Sequence, residues 1–563
     1  MFIKNIRKIY RITNKEENIF LFLCFLLMII NALFELLSVG LLIPLISFFF
    51  NSAPSTHSYI PFFQGIRSYF EIFTFNQLLI FILFIFLLKN TFITFYNFFV
   101  GNIVLKIRTR LVEDLYNKYL FQDFQFFLKK NSSEIIRNIN EAQNFSMIII
   151  SYLVISLEVL IFLTFSIFLL LSKPKLVIII FSILIISIFI LSITFKKKLF
   201  KFGYLRQIYE KNIKKIIIDN FSNIKLIKIS NTENQFSKIF SNLDYSLGKI
   251  QFKTDIILQI PRAVIEMIVL ISICTLIFIS YSSTPALEII TFLGVLFASI
   301  LRLMPSATRI IAALQRLKFY EPLINLIATE SKLKIKNNLL EKKPLKNFQQ
   351  LIFDNVSFKY ANNYYIYKNI NLTIHRNKIY CFIGENGVGK STLIHLMTGI
   401  LHASGGKIIY NNKNINEVLP SIGYVSQNIN LIDDTIKNNI IFPNFQNKLD
   451  SKKFKKSIYF SNLNEFVRTA PNGINTLVGE SGSQISGGQS QKISLARALY
   501  SDPEILILDE FDNNLDQNSE MDIISKLNKL KKNKTIILIS HNKEIFKICD
   551  EIYKISNKKI TKI

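Results

Sequence analysis

The sequence predicts two domains of different class in one chain: an all-α membrane domain of six helices, followed by a polar α/β domain built around a phosphate-binding loop. Three observations carry this. Apolar residues make up 50% of the 563 positions, with 52 Phe and a mean hydropathy of +0.33, more than a water-soluble core could hide. The long apolar runs all fall before residue 330, beyond which the chain turns polar and alternates strand-like with helix-like segments. A glycine-rich loop at 384–392 stands between one such strand and the following helix.

The spans come first in chain order. Apolar stretches near 18–50, 76–100, 146–171, 175–195, 257–280 and 286–312 each meet the requirement of roughly 20 residues for crossing a bilayer. The first is over-long and contains Gly40 and Pro44, which predicts a tilted or kinked helix whose upper part leaves the membrane. It continues well past a signal peptide's apolar region and lacks a small-residue cleavage site, so it is read as retained.

Charge gives the orientation. Lys4, Arg7, Lys8, Arg11 and Lys15 precede the first span, whereas the loop 51–75 carries only Arg67. The stretches 101–142 and 196–256 are again basic, and 281–285 has no Lys or Arg. The N-terminus and the C-terminal half are therefore cytoplasmic, with the short connection at Lys173 and Lys175 as an exception. The net charge of +28 follows from these loops and a general Lys bias. It lacks the clustered polar face with stacking aromatics that a nucleic-acid partner needs, and no nucleic acid is expected.

The two cytoplasmic loops are long and helical in pattern, so spans two to five should continue beyond the bilayer, with short crossing segments near 121–135 and 215–228. In the external loop, Ile60, Phe62, Phe63, Ile66, Tyr69, Phe70 and Phe73 form an amphipathic pattern suited to the outer interface or to an ordinary connector. Cys24, Cys274, Cys381 and Cys549 lie far apart, without disulfide or metal spacing. The domains divide as 1–330 for the membrane domain, a Lys- and Asn-rich linker at 331–347, and 348–563 for the α/β domain.

Within the α/β domain, Gly384-Glu385-Asn386-Gly387-Val388-Gly389-Lys390-Ser391-Thr392 follows the apolar strand 379–383. Glycines let backbone N–H groups curl round phosphates at a helix N-terminus, Lys390 reaches the β and γ oxygens, and Ser391 offers its hydroxyl to Mg²⁺. The apolar run 505–508 ends in Asp509-Glu510, two carboxylates at the same edge of a parallel sheet. Asp509 is expected in the Mg²⁺ shell, and Glu510 as the base that orients and deprotonates the attacking water.

The segment 348–563 then resembles an ATP-binding-cassette domain, with Ile485-Ser486-Gly487-Gly488-Gln489 similar to that family's signature before a helical run. The resemblance implies that Ser486, Gly487, Gly488 and Gln489 bind the nucleotide held by a partner's P-loop. It implies that Tyr360 stacks on adenine, that Gln427 senses Mg²⁺ and the water, that His541 is the switch histidine, and that Asp516 is the aspartate that follows the catalytic glutamate. ATP and Mg²⁺ are the implied cofactors. Where many exporters have Ser-Ala before Leu-Asp, this chain has Asn513-Asn514-Leu515-Asp516, and Ser426 rather than Pro precedes Gln427. Read singly, Tyr360, Gln427 and His541 fit a surface aromatic, a loop amide and a capping or buried histidine.

One P-loop and one signature make half of a two-nucleotide sandwich, so the chain is expected to pair with a second copy. The whole resembles an exporter of the type IV ABC architecture in the bacterial inner membrane, an ATPase coupled to transport. Glu35 to Phe48, Ile260-Pro261-Arg262 and Leu301 to Ile310 resemble segments of bacterial flippases for lipid-linked oligosaccharides. That implies a polyprenyl-pyrophosphate glycan as cargo, with Lys89, Arg262 and Arg302 attracting the pyrophosphate; Lys89 stands where arginine is usual. The alternative for Arg262 and Arg309 is snorkelling or pairing with Glu35, Glu158 or Glu266. Export of a lipid, drug or peptide is the rival function, and an ATP-regulated channel or a regulatory subunit that does not hydrolyse ATP is the rival class.

Overall fold

The computed structural model describes residues 9–10, 12–41, 75–170, 174–280, 286–335, 343–360, 364–444 and 449–563. Pro44, the external-loop pattern 60–73 and residues 336–342 of the expected linker lie outside them. The chain divides into two compact units, one of residues 1–122 and 127–335, the other of 123–126 and 336–563.

In the first unit, α1 (Lys15–Gly40), α2 (Phe75–Leu120), α3 (Phe124–Lys129), α4 (Ser132–Leu170), α5 (Pro174–Ser222), α6 (Ile224–Ile229), α7 (Glu233–Ser280), α8 (Ala286–Phe319) and α9 (Glu321–Glu330) follow in order, α3 being shared with the second unit. Stretches within α1, α2 and α4 are long and apolar enough to cross a membrane by length and composition, among the described residues. Among the described residues six helices are long, and α2, α5 and α7 run to 46, 49 and 48 residues, far beyond the roughly 20 that a bilayer needs. The excess lies where the sequence turns basic. The short helix α3 falls within the first segment expected to turn across these extensions, and α6 overlaps the second but ends one residue beyond it.

Helix α4 is the hub, packing against α1, α2, α5, α8 and α9. Its buried face carries Phe145, Ile148, Ile149, Ile161 and Phe165 at the three- and four-residue spacing of one helical stripe. Outward positions of the bundle, such as Ile80, Leu83, Ile167 and Phe189, are exposed apolar side chains, as expected where lipid rather than water is the solvent. One contact is closer than any side chain allows. A Cβ on Gly203 in α5 would sit 1.9 Å from the Phe319 carbonyl oxygen at the end of α8. Beside it, Arg206 donates to both carboxylate oxygens of Glu141 at 2.9 and 2.8 Å and lies over the rings of Phe319 and Tyr320.

The second unit holds the remaining secondary structure. Strand β1 (Lys343–Leu345), at the end of the expected linker, pairs with a later strand at 418–420. Next come β2 (Gln350–Lys359), β3 (Tyr365–His375), β4 (Ile379–Ile383), α10 (Lys390–Met397), β5 (Gly405–Tyr410), β6 (Lys413–Asn414), β7 (Val418–Pro420) and β8 (Ile422–Val425). They are followed by α11 (Ile436–Ile441), α12 (Ser451–Phe460), α13 (Asn464–Thr469), α14 (Gly487–Tyr500), β9 (Ile505–Asp509), α15 (Gln517–Leu530), β10 (Thr535–Ile539), α16 (Lys543–Phe546), β11 (Glu551–Ser556) and β12 (Lys559–Lys562).

The main sheet runs β12-β11-β4-β10-β9-β8. Strands β11, β4, β10, β9 and β8 are mutually parallel and β12 is antiparallel. β9 and β10 are buried along their whole length, which is why they read as unbroken apolar runs rather than alternating ones. A second sheet, β3-β2-β5-β6, is antiparallel, and its apolar face shares a core with the α10 side of the main sheet. Phe124 belongs to this unit and packs edge-on against His395 at 5.2 Å.

Candidate functional site

Strand register builds the site. Asp509, the last residue of β9, is level with Ile539 of β10, which in turn is level with Phe382 of β4, and Val425 of β8 is level with Leu508. The four strands thus end together, and the residues just past those ends meet on one edge: the loop 384–389 after β4, Gln427 after β8, Glu510 after β9 and His541 after β10. This is the carboxyl edge where parallel α/β sheets hold ligands.

The loop has the backbone that a phosphate cradle needs. Gly387 and Gly389 take φ of 83° and 112°, values that side chains disfavour, and Gly389 caps α10. A Cβ on Gly389 would come within 2.6 Å of Ile366, so position 389 has no room for one. The Tyr367 hydroxyl donates to the Gly389 carbonyl at 3.0 Å and holds the turn from behind. The first N–H groups of α10 have no helical acceptor and face the loop opening with the positive end of the helix dipole.

Lys390 is buried at the centre. Its ammonium donates to the Gly384 carbonyl at 2.9 Å and Asn386 Oδ1 at 3.5 Å. The same ammonium lies 2.9 Å from His541 Nε2. Glu510 Oε1 lies 3.4 Å from the same ammonium. The other carboxylate oxygen, Glu510 Oε2, accepts from Gln427 Nε2 at 2.5 Å and Asn513 Nδ2 at 3.1 Å. Glu510 itself has a φ of 47°, the left-handed region that a residue other than glycine enters at a cost, and its N–H donates to the Ile539 carbonyl. Burial, with the Glu510 charge next to it, raises Asp509 to about 6, against a hydrogen bond from Tyr424 that lowers it. That bond, from the Tyr424 hydroxyl to Asp509 Oδ2, measures 3.3 Å.

The remaining candidates are placed individually. Tyr360 stands edge-on to Phe358, and its hydroxyl meets the Thr392 hydroxyl at 3.1 Å. Ser486 caps α14 in a reciprocal box with Gln489: the Ser486 hydroxyl accepts from the Gln489 N–H at 3.2 Å, and Gln489 Oε1 accepts from the Ser486 N–H at 2.9 Å. Gln489 is thereby committed within its own chain, while the first N–H groups of α14 have no helical acceptor. Asp516 caps α15, accepting from the Ser519 N–H at 2.9 Å.

Three residues at the site were not among the sequence-derived candidates: Tyr367 on Gly389, Tyr424 on Asp509 and Asn513 on Glu510. The sequence did single out Asn513, as a departure from the exporter pattern; its place three residues after Glu510 is the signal that it could reach back.

In the first unit, the basic candidates are largely paired. Lys89 Nζ lies 2.8 Å from Glu35 and 3.2 Å from Ser38 Oγ. Arg309 pairs with buried Glu158, and Arg262 with Glu266 one turn on. All three carboxylates weighed as partners are thus engaged. The Arg262 side chain is 76% exposed and Lys89 only 13%. Arg302 lies in α8, and its side chain is outside the described residues.

The donor set fits a nucleoside triphosphate with Mg²⁺: glycines in left-handed turns, a helix N-terminus and a lysine for phosphate oxygens, with hydroxyl, carboxylate and amide oxygens at 391, 509 and 427 for a hard cation. Comparison with known proteins agrees. The ABC transporter ATP-binding family matches residues 367–513, and the ABC transporter transmembrane region matches residues 21–302. A Rickettsia typhi protein named as an export ATP-binding/permease protein is 29% identical over 83% of this chain and 82% of its own length. An ATP-dependent lipid A-core flippase of Wigglesworthia glossinidia brevipalpis is 37% identical over 38% of this chain and 37% of its own. The solved structure of a bacterial Atm1-family ABC exporter with ATP bound superposes with a TM-score of 0.75 at 17% identity, over 97% of this chain and 94% of that one, a likeness of fold. A helical transmembrane domain fused to a cassette that uses ATP and Mg²⁺, an ATPase coupled to transport: the chain belongs to the ABC transporter family.

Proposed function

We propose that two copies of this chain, in the bacterial inner membrane, use ATP hydrolysis to flip or export an anionic lipid-linked substrate, with a polyprenyl-pyrophosphate oligosaccharide as cargo. In this reading Lys390 and the α10 N-terminus hold the β and γ phosphates, Tyr360 supports the adenine, and Ser391, Asp509 and Gln427 hold Mg²⁺. Glu510 takes the proton of the attacking water, and His541 senses the γ-phosphate. Ser486, Gly487 and Gly488 serve the partner's nucleotide. Gln489 and Asp516 contribute by capping the helices that carry those groups.

The observation that carries the catalytic half is the meeting of Lys390, Glu510, Gln427 and His541 on one sheet edge. Lys390 occupies both Glu510 and His541 as the site stands, so phosphate that draws the ammonium away would free the carboxylate for water.

For the cargo, Arg262 is the best placed of the three basic residues: it bonds Glu266 through Nε and is otherwise open to a phosphate oxygen. Lys89 would have to exchange Glu35 for cargo, and Arg302 is retained on its place in α8. The lipid A-core flippases among the relatives favour a second reading, a different lipid with the same transport cycle. The test is flipping in proteoliposomes of the full chain with lipid-linked glycans and with lipid A-core. R262A and R302A should cut glycan-lipid flipping at least fivefold while ATP hydrolysis persists, and K89A should cut it less. Unchanged flipping in both arginine variants would end the anionic-headgroup reading, and transport of lipid A-core alone would select the second.

A further inference from the structure

Glu510 is held at its backbone and at both carboxylate oxygens. Its left-handed backbone and the N–H bond to Ile539 fix where the side chain starts. Lys390 faces Oε1, and the amides of Gln427 and Asn513 both donate to Oε2. A carboxylate can only accept at these contacts, so the orientation of both amides is set by chemistry.

The Asn513 main-chain N–H also reaches back toward the Glu510 carbonyl at 3.5 Å, and Asp512 is fixed by a 2.6 Å bond from the Ser540 hydroxyl. The turn that presents Asn513 is therefore anchored to β10. On its other side, Asn514 lies against the signature helix: a Cβ on Gly488 would come within 2.9 Å of the Asn514 carbonyl oxygen. The Asn513 side chain itself is exposed and serves no core.

We propose that Asn513 is a positioning residue for hydrolysis: its amide, with that of Gln427, pins Oε2 of Glu510 so that Oε1 is the oxygen presented to the attacking water. This rests on the reading of Glu510 as the base. Two donors on one oxygen fix the rotation of the carboxylate about its terminal bond, a torsion that is otherwise broad. Lys390 can then leave Oε1 without the group swinging away. A serine at this position has a reach shorter by one bond and offers a single donor.

The experiment measures steady-state ATP hydrolysis by the full chain in lipid nanodiscs, with kcat and KM determined separately and melting temperature as the check on folding. N513A should lower kcat ~10- to 100-fold, the scale of a misplaced catalytic group, with KM for ATP within twofold. N513D keeps the shape of the side chain but sets a carboxylate against Glu510, and should fall at least as far. N513S, which restores a donor, should recover part of the N513A loss.

A kcat within twofold of the parent in N513A or N513D would overturn the proposal, as would a loss carried by KM or by melting temperature. E510Q, run alongside, separates the two readings. Persistent hydrolysis in E510Q removes Glu510 as base and the proposal with it, whereas a silent E510Q beside a fully active N513D removes only the part given to Asn513.

Discussion

Replacing Arg206 by Met tests how the extensions of the long helices are held together. The Arg206 side chain is 6% exposed and that of its partner Glu141 1%, so the replacement leaves a buried carboxylate without its paired guanidinium. Breaking one side of such a pair costs about 3–5 kcal/mol, and the loss of charge over the Phe319 and Tyr320 rings adds about 0.5–2 kcal/mol, part of which the Met side chain recovers by packing. The expected loss is therefore about 4 kcal/mol, measured by reversible unfolding of the detergent-solubilised chain in increasing SDS. The double variant R206M/E141M replaces the whole pair with apolar side chains of similar length and should regain at least half of that loss, since an isosteric apolar pair is often neutral. A single-variant loss below about 1 kcal/mol, or a double variant no better than R206M, would show that Glu141 is solvated and that the pair does not hold the extensions.

Four further outcomes follow from the structure. Gly203→Ala puts a methyl 1.9 Å from a backbone oxygen, a clash that no rotamer relieves, and should destabilise the bundle by at least about 1–3 kcal/mol in the same SDS assay; a neutral result would mean that α5 and α8 separate freely. Glu210 is raised to about 7 by burial, with Arg206 opposing and a hydrogen bond to Glu141 reinforcing the shift. Its proton-bound form therefore contributes stability fully present below the ordinary value of 4.5 and lost as pH rises through about 7, so E210Q should flatten the fall in melting temperature across that window, and an unchanged slope would refute it. Glu510→Gln should abolish ATP turnover while leaving ATP binding intact, read by nucleotide-binding titration beside phosphate release. Gly488→Ala, which drives a methyl toward the Asn514 carbonyl, should lower ATPase activity at least tenfold, the scale of a displaced catalytic element, without moving the melting temperature.

Hydropathy made the long helices legible because lipid imposes a length that no soluble core requires, and the P-loop and the Asp509-Glu510 pair were legible because each sits directly beyond an apolar strand. Register then did what linear spacing cannot. Val425 and Leu508 lie far apart in the chain yet align side by side, and only that alignment brings Gln427 onto Glu510. The charges inside the bundle were visible as unusual residues, and their partners only as a short list. Lys89 and Arg309 find carboxylates on other helices through tertiary packing that composition does not encode. Asn513 was visible as a departure, but its bond to Glu510 depends on the left-handed turn at 510, which nothing in the residue type announces. Gly203 has no sequence signal: a glycine within a long helix reads as a weak spot until the neighbouring backbone is seen against it.

That backbone contact has a mechanical meaning. Where side chains separate two helices, each can slip along the other by exchanging rotamers. At Gly203 there is nothing to exchange, because the chain of α5 rests on the carbonyl of Phe319. The junction behaves as a rivet, fixing translation between the fourth and sixth long helices at the point where α8 gives way to α9. The turn into α9 at Glu321 therefore starts from a point where α5 and α8 meet backbone to backbone.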